Sequence, residues 1–242
     1  MMAGVFPGVF PGVWGRVWGR VWVFLLVATT LAACSARIPE NTHTRILLLG
    51  DSMMAANRDE NAGVAAALQQ HMGEPVLDRS VSGARYLGLA KLSGIGLYLP
   101  NQYRTGKWQW VVLNGGGNDL LLNCACRWCA GTLDRLISPD GSRGAVPDFV
   151  AQLRSTGAQV LYTGYLRTPG VTSPIEGCTQ IGTEFETRLA RMAARDEGVR
   201  FVGLTDLVPM GARSYHNIDL IHPSAKGSNA IAARLAQVMA AR

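Results

Sequence analysis

Arg45-Ile46-Leu47-Leu48-Leu49-Gly50-Asp51-Ser52 is the stretch that decides the fold. A short apolar run stops at a glycine and is followed by two polar residues. A continuous run of this kind, without alternation, fits a strand buried on both faces. Similar runs return at Trp110–Leu113, Val160–Tyr162 and Phe201–Val202, and a weaker one at Val76–Leu77. Helical patterns lie between them. Asn61–His71 is rich in Ala, Leu and Gln. In Ile181–Arg195, residues Ile181, Phe185, Leu189 and Met192 fall on one face, and Thr183 and Glu186 have capping-box spacing near the start. Ala225–Ala240 places Ile231, Leu235 and Val238 on one stripe, with Pro223 near its first turn.

Strands alternating with helices predict an α/β domain: five parallel strands, about five helices, both sheet faces covered and crossovers right-handed. In such sheets ligands bind beyond the carboxyl ends of the strands. Ser52, Gly83, Asn114–Asp119 and the loops after Tyr162 and Leu204 should therefore share one edge.

Composition agrees with a packed body. Of 242 residues, 48% are hydrophobic and 17% charged, too apolar for a disordered chain. The 28 Gly and 11 Pro follow no collagen-like period. The amino-terminal segment is different. Residues 5–22 repeat a Val-aromatic unit, VFPG then VWGR, too briefly for a solenoid. Arg16 and Arg20 precede the uncharged run Val21–Ala33, which is shorter than the roughly 18 residues of a spanning helix and suits the core of a secretion signal. Leu31-Ala32-Ala33-Cys34 resembles the lipobox of bacterial lipoproteins. That resemblance implies cleavage before Cys34, lipid on its thiol, and a location in the bacterial cell envelope, facing the periplasm or the exterior. The expected organisation is a signal peptide over 1–33, a polar linker over 34–44 and one domain over 45–242. Losing two Arg and no acid lowers the net charge from +6 to +4. The basic residues are scattered, without a nucleic-acid motif, so no nucleic-acid partner is expected.

Four short blocks carry chemistry. Gly50-Asp51-Ser52 puts a hydroxyl at the open end of the first strand. Asp219-Leu220-Ile221-His222 sets a carboxylate three residues before an imidazole, where it can hold Nδ1–H and leave Nε2 to take a serine proton. Asn114-Gly115-Gly116-Gly117-Asn118-Asp119 permits close backbone approach and offers an amide. Ser80-Val81-Ser82-Gly83-Ala84 can aim an N–H at a ligand. The Ser52 N–H, the Gly83 N–H and the Asn118 side chain would stabilise the oxyanion of an acyl-transfer reaction.

In order, these blocks resemble those of the SGNH (GDSL-type) hydrolases, over about residues 45–240, with Met53 where the family usually has Leu. The resemblance implies a flavodoxin-like three-layer α/β/α sandwich and ester hydrolysis. It implies Ser52 as nucleophile, His222 as general base, Asp219 as its orienter, and Ser52, Gly83 and Asn118 as the oxyanion hole. No cofactor is expected, and His43, His71, His216 and His222 lack metal-ligand spacing. His216 has no Asp three residues before it and is expected at the surface or in a cap. The substrate class is a small ester or an acylated glycan or lipid. The competing readings are an acyltransferase or deacetylase working on envelope glycan with the same triad, and an inactive binding lipoprotein.

Cys124, Cys126, Cys129 and Cys178 form an even set in an oxidising compartment. Disulfides near the crevice are expected, at least one joining the Cys124–Cys129 segment to Cys178. A four-cysteine zinc site is the alternative, although the usual pair of CxxC knuckles is missing. Trp108, Trp110, Trp128 and Tyr165 are candidates for core, rim or groove packing.

Overall fold

The computed structural model describes residues 44–88, 96–170 and 172–241. The expected signal peptide, most of the expected linker and Cys34, the expected lipidation site, lie outside them, as does His43. Among the described residues there are five strands and seven α-helices, in the order β1 (Ile46–Leu49), α1 (Ser52–Ala55), α2 (Val64–Met72), β2 (Val76–Asp78), β3 (Trp110–Leu113), α3 (Gly117–Cys124), α4 (Ala130–Leu136), α5 (Ala145–Arg154), β4 (Gln159–Thr163), α6 (Thr179–Ala193), β5 (Val199–Val202) and α7 (Ala225–Ala240). No helix among them is long and apolar enough to cross a membrane.

All strand pairs are parallel, and the sheet order is β2-β1-β3-β4-β5. This is the flavodoxin-like order. The chain moves to one side of β1 to lay down β2, then crosses to the other side for β3. The crevice outside the carboxyl ends of β1 and β3 is the topological switch point, the usual ligand position in such sheets.

The pleat sends alternate residues into two cores. Leu47, Leu49, Val111, Leu113, Val160 and Tyr162 pack with Leu133, Phe149, Phe185 and Leu189 of α4, α5 and α6. Ile46, Leu48, Val112 and Leu161 pack on the opposite face with Val64 and Leu68 of α2 and Ile231 and Leu235 of α7. The central strands β1 and β3 are therefore apolar throughout, and the result is the expected three-layer α/β/α sandwich.

Four helices were not legible as helices. Helix α1 is a single turn of four residues, α3 begins in a glycine run, α4 contains Gly131, and α5 contains Pro147. Pro147 lies in the first turn, where the missing N–H has no helical partner to lose. The start of α6 also differs from expectation. It begins at Thr179, and Thr183 sits inside it with its hydroxyl bonded to the Thr179 carbonyl at 2.9 Å. Glu186 does not cap the helix; it accepts the Tyr165 N–H at 2.9 Å and pairs with Arg167 at 2.7 Å.

Candidate active site

Gly50 ends β1 where Gln102 takes over the role of a sheet neighbour. The buried Gln102 amide accepts the Gly50 N–H at 2.8 Å and donates to the Gly50 carbonyl at 2.9 Å. Asp51 caps α1 by accepting the Met53 N–H at 3.0 Å, so Ser52 is the first helical residue. Its N–H and hydroxyl make no hydrogen bond among the described residues. Met53 is buried, and its sulfur accepts the Leu166 N–H at 3.4 Å.

Asp51 is only 2% exposed. The Tyr165 hydroxyl donates to its Oδ2 at 2.5 Å. With its amide nitrogen turned inward, Asn114 donates to Oδ1 at 2.8 Å. Burial nevertheless pushes the Asp51 carboxyl up; the Tyr165 and Met53 hydrogen bonds and the nearby charge of His222 oppose the rise without cancelling it.

The same Tyr165 hydroxyl accepts the Gly117 N–H at 2.8 Å. Gly116 has φ +96°, and a Cβ there would meet the Phe185 ring at 2.5 Å. Beside it, a Cβ on Gly117 would meet the Tyr165 ring at 2.6 Å. Asn118 donates to the Ala84 carbonyl at 3.2 Å. Asp119 is buried and accepts the N–H groups of Tyr86 and Leu87 at 3.0 and 2.8 Å. Burial raises its pKa to about 6 against those two bonds. Asn118 and Asp119 thus tie the start of α3 to the loop holding Gly83. Gly83 has φ +80°, and its N–H has no partner among the described residues.

The last block precedes α7. Asp219 Oδ2 lies 2.6 Å from His222 Nδ1, while Oδ1 accepts the N–H groups of Ile221 and His222, each at 3.0 Å. Leu220 adopts φ +55° to close this turn, a left-handed conformation that costs a residue with a Cβ roughly 1–2 kcal/mol. Burial alone would push the Asp219 carboxyl up, but the three N–H contacts outweigh it and hold it below its ordinary value. Ser224 caps α7 by accepting the Gly227 N–H at 3.2 Å.

Ser52, Asn118 and His222 line one cavity of about 490 Å³ at the carboxyl edge of the sheet. Gly83 and Asp219 do not line it; Asn118 bonds to Ala84, the residue after Gly83, and His222 bonds to Asp219. A larger and shallower depression of about 810 Å³ lies at the amino ends of β3–β5, among Gln109, Gln159 and Gly198. It contains none of the motif residues and sits at the sheet edge where ligands of this architecture do not bind.

The GDSL-like Lipase/Acylhydrolase family matches residues 48–230. The chain belongs to that family. As a GDSL-family member it is a hydrolase acting on ester bonds. Among solved structures it is similar to a GDSL-like lipase from Bacteroides thetaiotaomicron (15% identity, 89% of this chain and 96% of that one covered, TM-score 0.53). It is also similar to a family two carbohydrate esterase from Clostridium thermocellum, solved in complex with cellohexaose (17% identity, 84% of this chain and 65% of that one, TM-score 0.54). At these identities the likeness concerns the fold. No curated protein matches the chain.

The structure also assigns residues whose part in this GDSL-family site the sequence did not reveal. Tyr165 bridges the first and third blocks. Asn57 follows α1 at φ +58° and donates to the Pro223 carbonyl at 2.8 Å and to Ser228 at 3.3 Å. Arg58 pairs with Asp78 at 2.8 Å and donates to Ser80 at 2.5 Å. His216 meets one half of its expectation. It is the C-cap of the 3-10 turn Arg213–Tyr215, its N–H on the Arg213 carbonyl at 3.0 Å, but it is 6% exposed rather than at the surface, and its ring nitrogens make no hydrogen bond of ordinary geometry among the described residues. Burial lowers its pKa, with the nearby Asp219 charge opposing.

The four cysteines form two disulfides, Cys124–Cys129 and Cys126–Cys178. The second is the expected link between the two loops, and the pairing leaves no thiolate for the zinc alternative. Trp110 is core, with Arg200 over its ring at 5.5 Å. The Trp108 indole donates to the Arg104 carbonyl at 2.7 Å, and Trp128 is 88% exposed.

Proposed function

We propose that the chain is a serine esterase working through an acyl-serine intermediate, with Ser52 as nucleophile, His222 as general base and Asp219 as the group that orients the imidazole. The observation that carries this reading is the 2.6 Å contact between Asp219 and His222 Nδ1, with Ser52 and His222 in one cavity wall. An ionised Asp219 on Nδ1 selects the tautomer with Nε2 unprotonated and stabilises the imidazolium that forms during the reaction. His222 takes the Ser52 proton as the hydroxyl attacks the ester carbonyl. The negative charge that develops on the carbonyl oxygen is met by the unpartnered N–H groups of Ser52 and Gly83 and by the Asn118 amide. The tetrahedral intermediate collapses, the alkoxide leaves with the proton from His222, and the acyl-serine remains. Water gives a proton to the same imidazole, attacks the acyl carbon, and releases the acid and the serine.

A fluorophosphonate probe tests the nucleophile. Labelling is expected at Ser52, mapped by peptide mass spectrometry, and lost in Ser52→Ala. Labelling that persists in that variant refutes the assignment. The amino-terminal reading adds a lipid on Cys34 and an envelope location. Incorporation of an alkyne fatty acid in cells, abolished in Cys34→Ala, supports it; a delipidated chain with a mature amino terminus elsewhere refutes it.

A further inference from the structure

We infer that the cavity beside Ser52 is an acyl-chain site closed on one side by the Cys126–Cys178 disulfide, so that the enzyme prefers esters of medium-chain acids to acetyl esters. The inference rests on the serine-esterase reading and adds a substrate class to it.

The wall is apolar well beyond the triad. Met53, Leu121, Leu166, Ile181, Phe185 and Val208 line it. Away from Ser52 and His222, most polar side chains in the same wall are already engaged with each other or with the backbone. Arg167 pairs with Glu186 at 2.7 Å, and Glu186 also holds the Tyr165 N–H. Thr168 donates to Glu176 at 3.2 Å, Thr179 to the Glu176 carbonyl at 2.8 Å, and Thr183 to the Thr179 carbonyl at 2.9 Å. A sugar needs hydrogen-bond partners for its hydroxyls, and burying those hydroxyls against such a wall is unfavourable. A hydrocarbon chain meets no such penalty. Size points the same way: an apolar cavity of about 150 Å³ holds benzene, and this one is about 490 Å³, far more than an acetyl methyl fills.

The disulfide is part of that wall, since Cys126 and Cys178 both line the cavity. It bolts the turn Glu176–Cys178, at the start of α6, to the segment just after α3. Ala125 and Cys126 both have left-handed φ, +48° and +58°. Two consecutive residues with a Cβ hold this disfavoured conformation where the chain turns Cys126 into the wall. Apolar groups continue outward from the cavity. Met210, in its wall, is 85% exposed.

The test is kcat/KM for p-nitrophenyl acetate, butyrate, octanoate and decanoate with the wild-type protein. Burying a methylene fully is worth about a fourfold change in an equilibrium, and about twofold when half of it stays in contact with water. Six added methylenes between acetyl and octanoyl then raise kcat/KM about sixtyfold. Ile181→Trp, which fills the cavity, lowers the octanoyl-to-acetyl ratio about tenfold or more. Cys126→Ala combined with Cys178→Ala, which frees the wall, lowers it about threefold to tenfold. Thermal melts report whether each variant is folded, and the wild-type profile requires no variant. A profile flat within threefold or falling with chain length, with Ser52 still labelled by fluorophosphonate, overturns the inference and leaves the serine-esterase reading intact. Ratios unchanged in both folded variants remove the assigned wall. Failure to label Ser52 overturns the underlying reading and the inference with it.

Discussion

Replacing Tyr165 with Phe removes one oxygen and almost nothing else, yet that oxygen joins two parts of the site. It donates to Asp51 Oδ2 at 2.5 Å and accepts the Gly117 N–H at 2.8 Å. The ring is kept, so packing against Gly117 is unchanged. A hydrogen bond to a charged group contributes about 1.5–3 kcal/mol, and an N–H left without its partner costs about 1 kcal/mol where water can partly replace it. The expected loss is about 2–4 kcal/mol, or a fall in Tm of roughly 5–12 °C for a domain of this size. The loss also depends on pH. Burial already raises the Asp51 pKa, and Tyr165 is the largest influence holding it down. Without the phenol it rises further. A carboxyl with a raised folded-state pKa stabilises the fold only while protonated, and that contribution disappears as the pH rises through the folded value. The gap between wild type and variant is therefore wide at pH 8 and narrows toward pH 4. Urea unfolding followed by tryptophan fluorescence at several pH values reads both effects. Because Asp51 also caps the helix that presents Ser52, kcat/KM is expected to drop about tenfold to a hundredfold, a barrier change of about 1.4–2.7 kcal/mol. A variant within 0.5 kcal/mol of wild type at pH 8, with no pH-dependent gap, refutes the reasoning.

Asp219→Asn keeps the shape of the turn but loses the anion on Nδ1; kcat should fall about 10³–10⁴-fold, while Tm barely moves because the pair is partly exposed. Asn57→Gly keeps the φ of +58° without strain and deletes the amide bonds to Pro223 and Ser228; kcat is expected to fall about tenfold, with KM little changed, because only the placement of His222 is loosened. Asn57→Ala should lose the same activity and, in addition, about 1 kcal/mol of stability in urea. Asp119, raised to about 6 by burial, is neutral at pH 5 in the fold and mostly ionised in the unfolded chain. Stability should therefore decline between about pH 4 and 6, by up to about 3 kcal/mol, and Asp119→Asn should flatten that slope in denaturation curves taken across the range.

The strands were legible because their burial is unconditional. Both faces of β1 and β3 are covered, so every residue from Ile46 to Leu49 and from Trp110 to Leu113 is apolar. At the sheet edge the signal weakens. In β5, Val199 and Val202 are buried while Arg200 reaches the carbonyls of Val238 and Ala241 at the end of α7, and only Phe201–Val202 stood out as a run. The missed helices fail on local composition and succeed on packing. Leu133, Leu136, Phe149 and Leu153 are buried in spite of Gly131 and Pro147 nearby, so tertiary contacts override propensity there. The false capping box arose because Thr and Glu three apart also satisfy other geometry. Thr183 found its own helix carbonyl, and Glu186 found a backbone N–H from the loop after β4.

The four motif blocks were legible one at a time, but what holds them in register was not. Gln102 fixes the end of β1, Tyr165 joins Asp51 to Gly117, Asp119 joins α3 to the loop of Gly83, and Asn57 joins the end of α1 to the peptide that follows His222. The partners are far apart in sequence, 52 residues for Gln102 and Gly50, 114 for Tyr165 and Asp51, and 166 for Asn57 and Pro223. No periodicity or spacing rule reaches across such separations. The parallel sheet does, because it brings every strand's carboxyl end to one edge. Each block is only a few residues of loop, too short to hold a catalytic geometry alone. A single polar side chain, buried or partly buried, then suffices to lock each block to its neighbour. Loss of one such tie should therefore weaken the site more than its own hydrogen bonds suggest, since it releases a block whose position the others depend on. The double variant Tyr165→Phe with Asn57→Gly tests this through kcat. If the two ties act on one assembled unit, the second substitution costs clearly less in the presence of the first; simple multiplication of the two single effects would mean that the blocks are held independently.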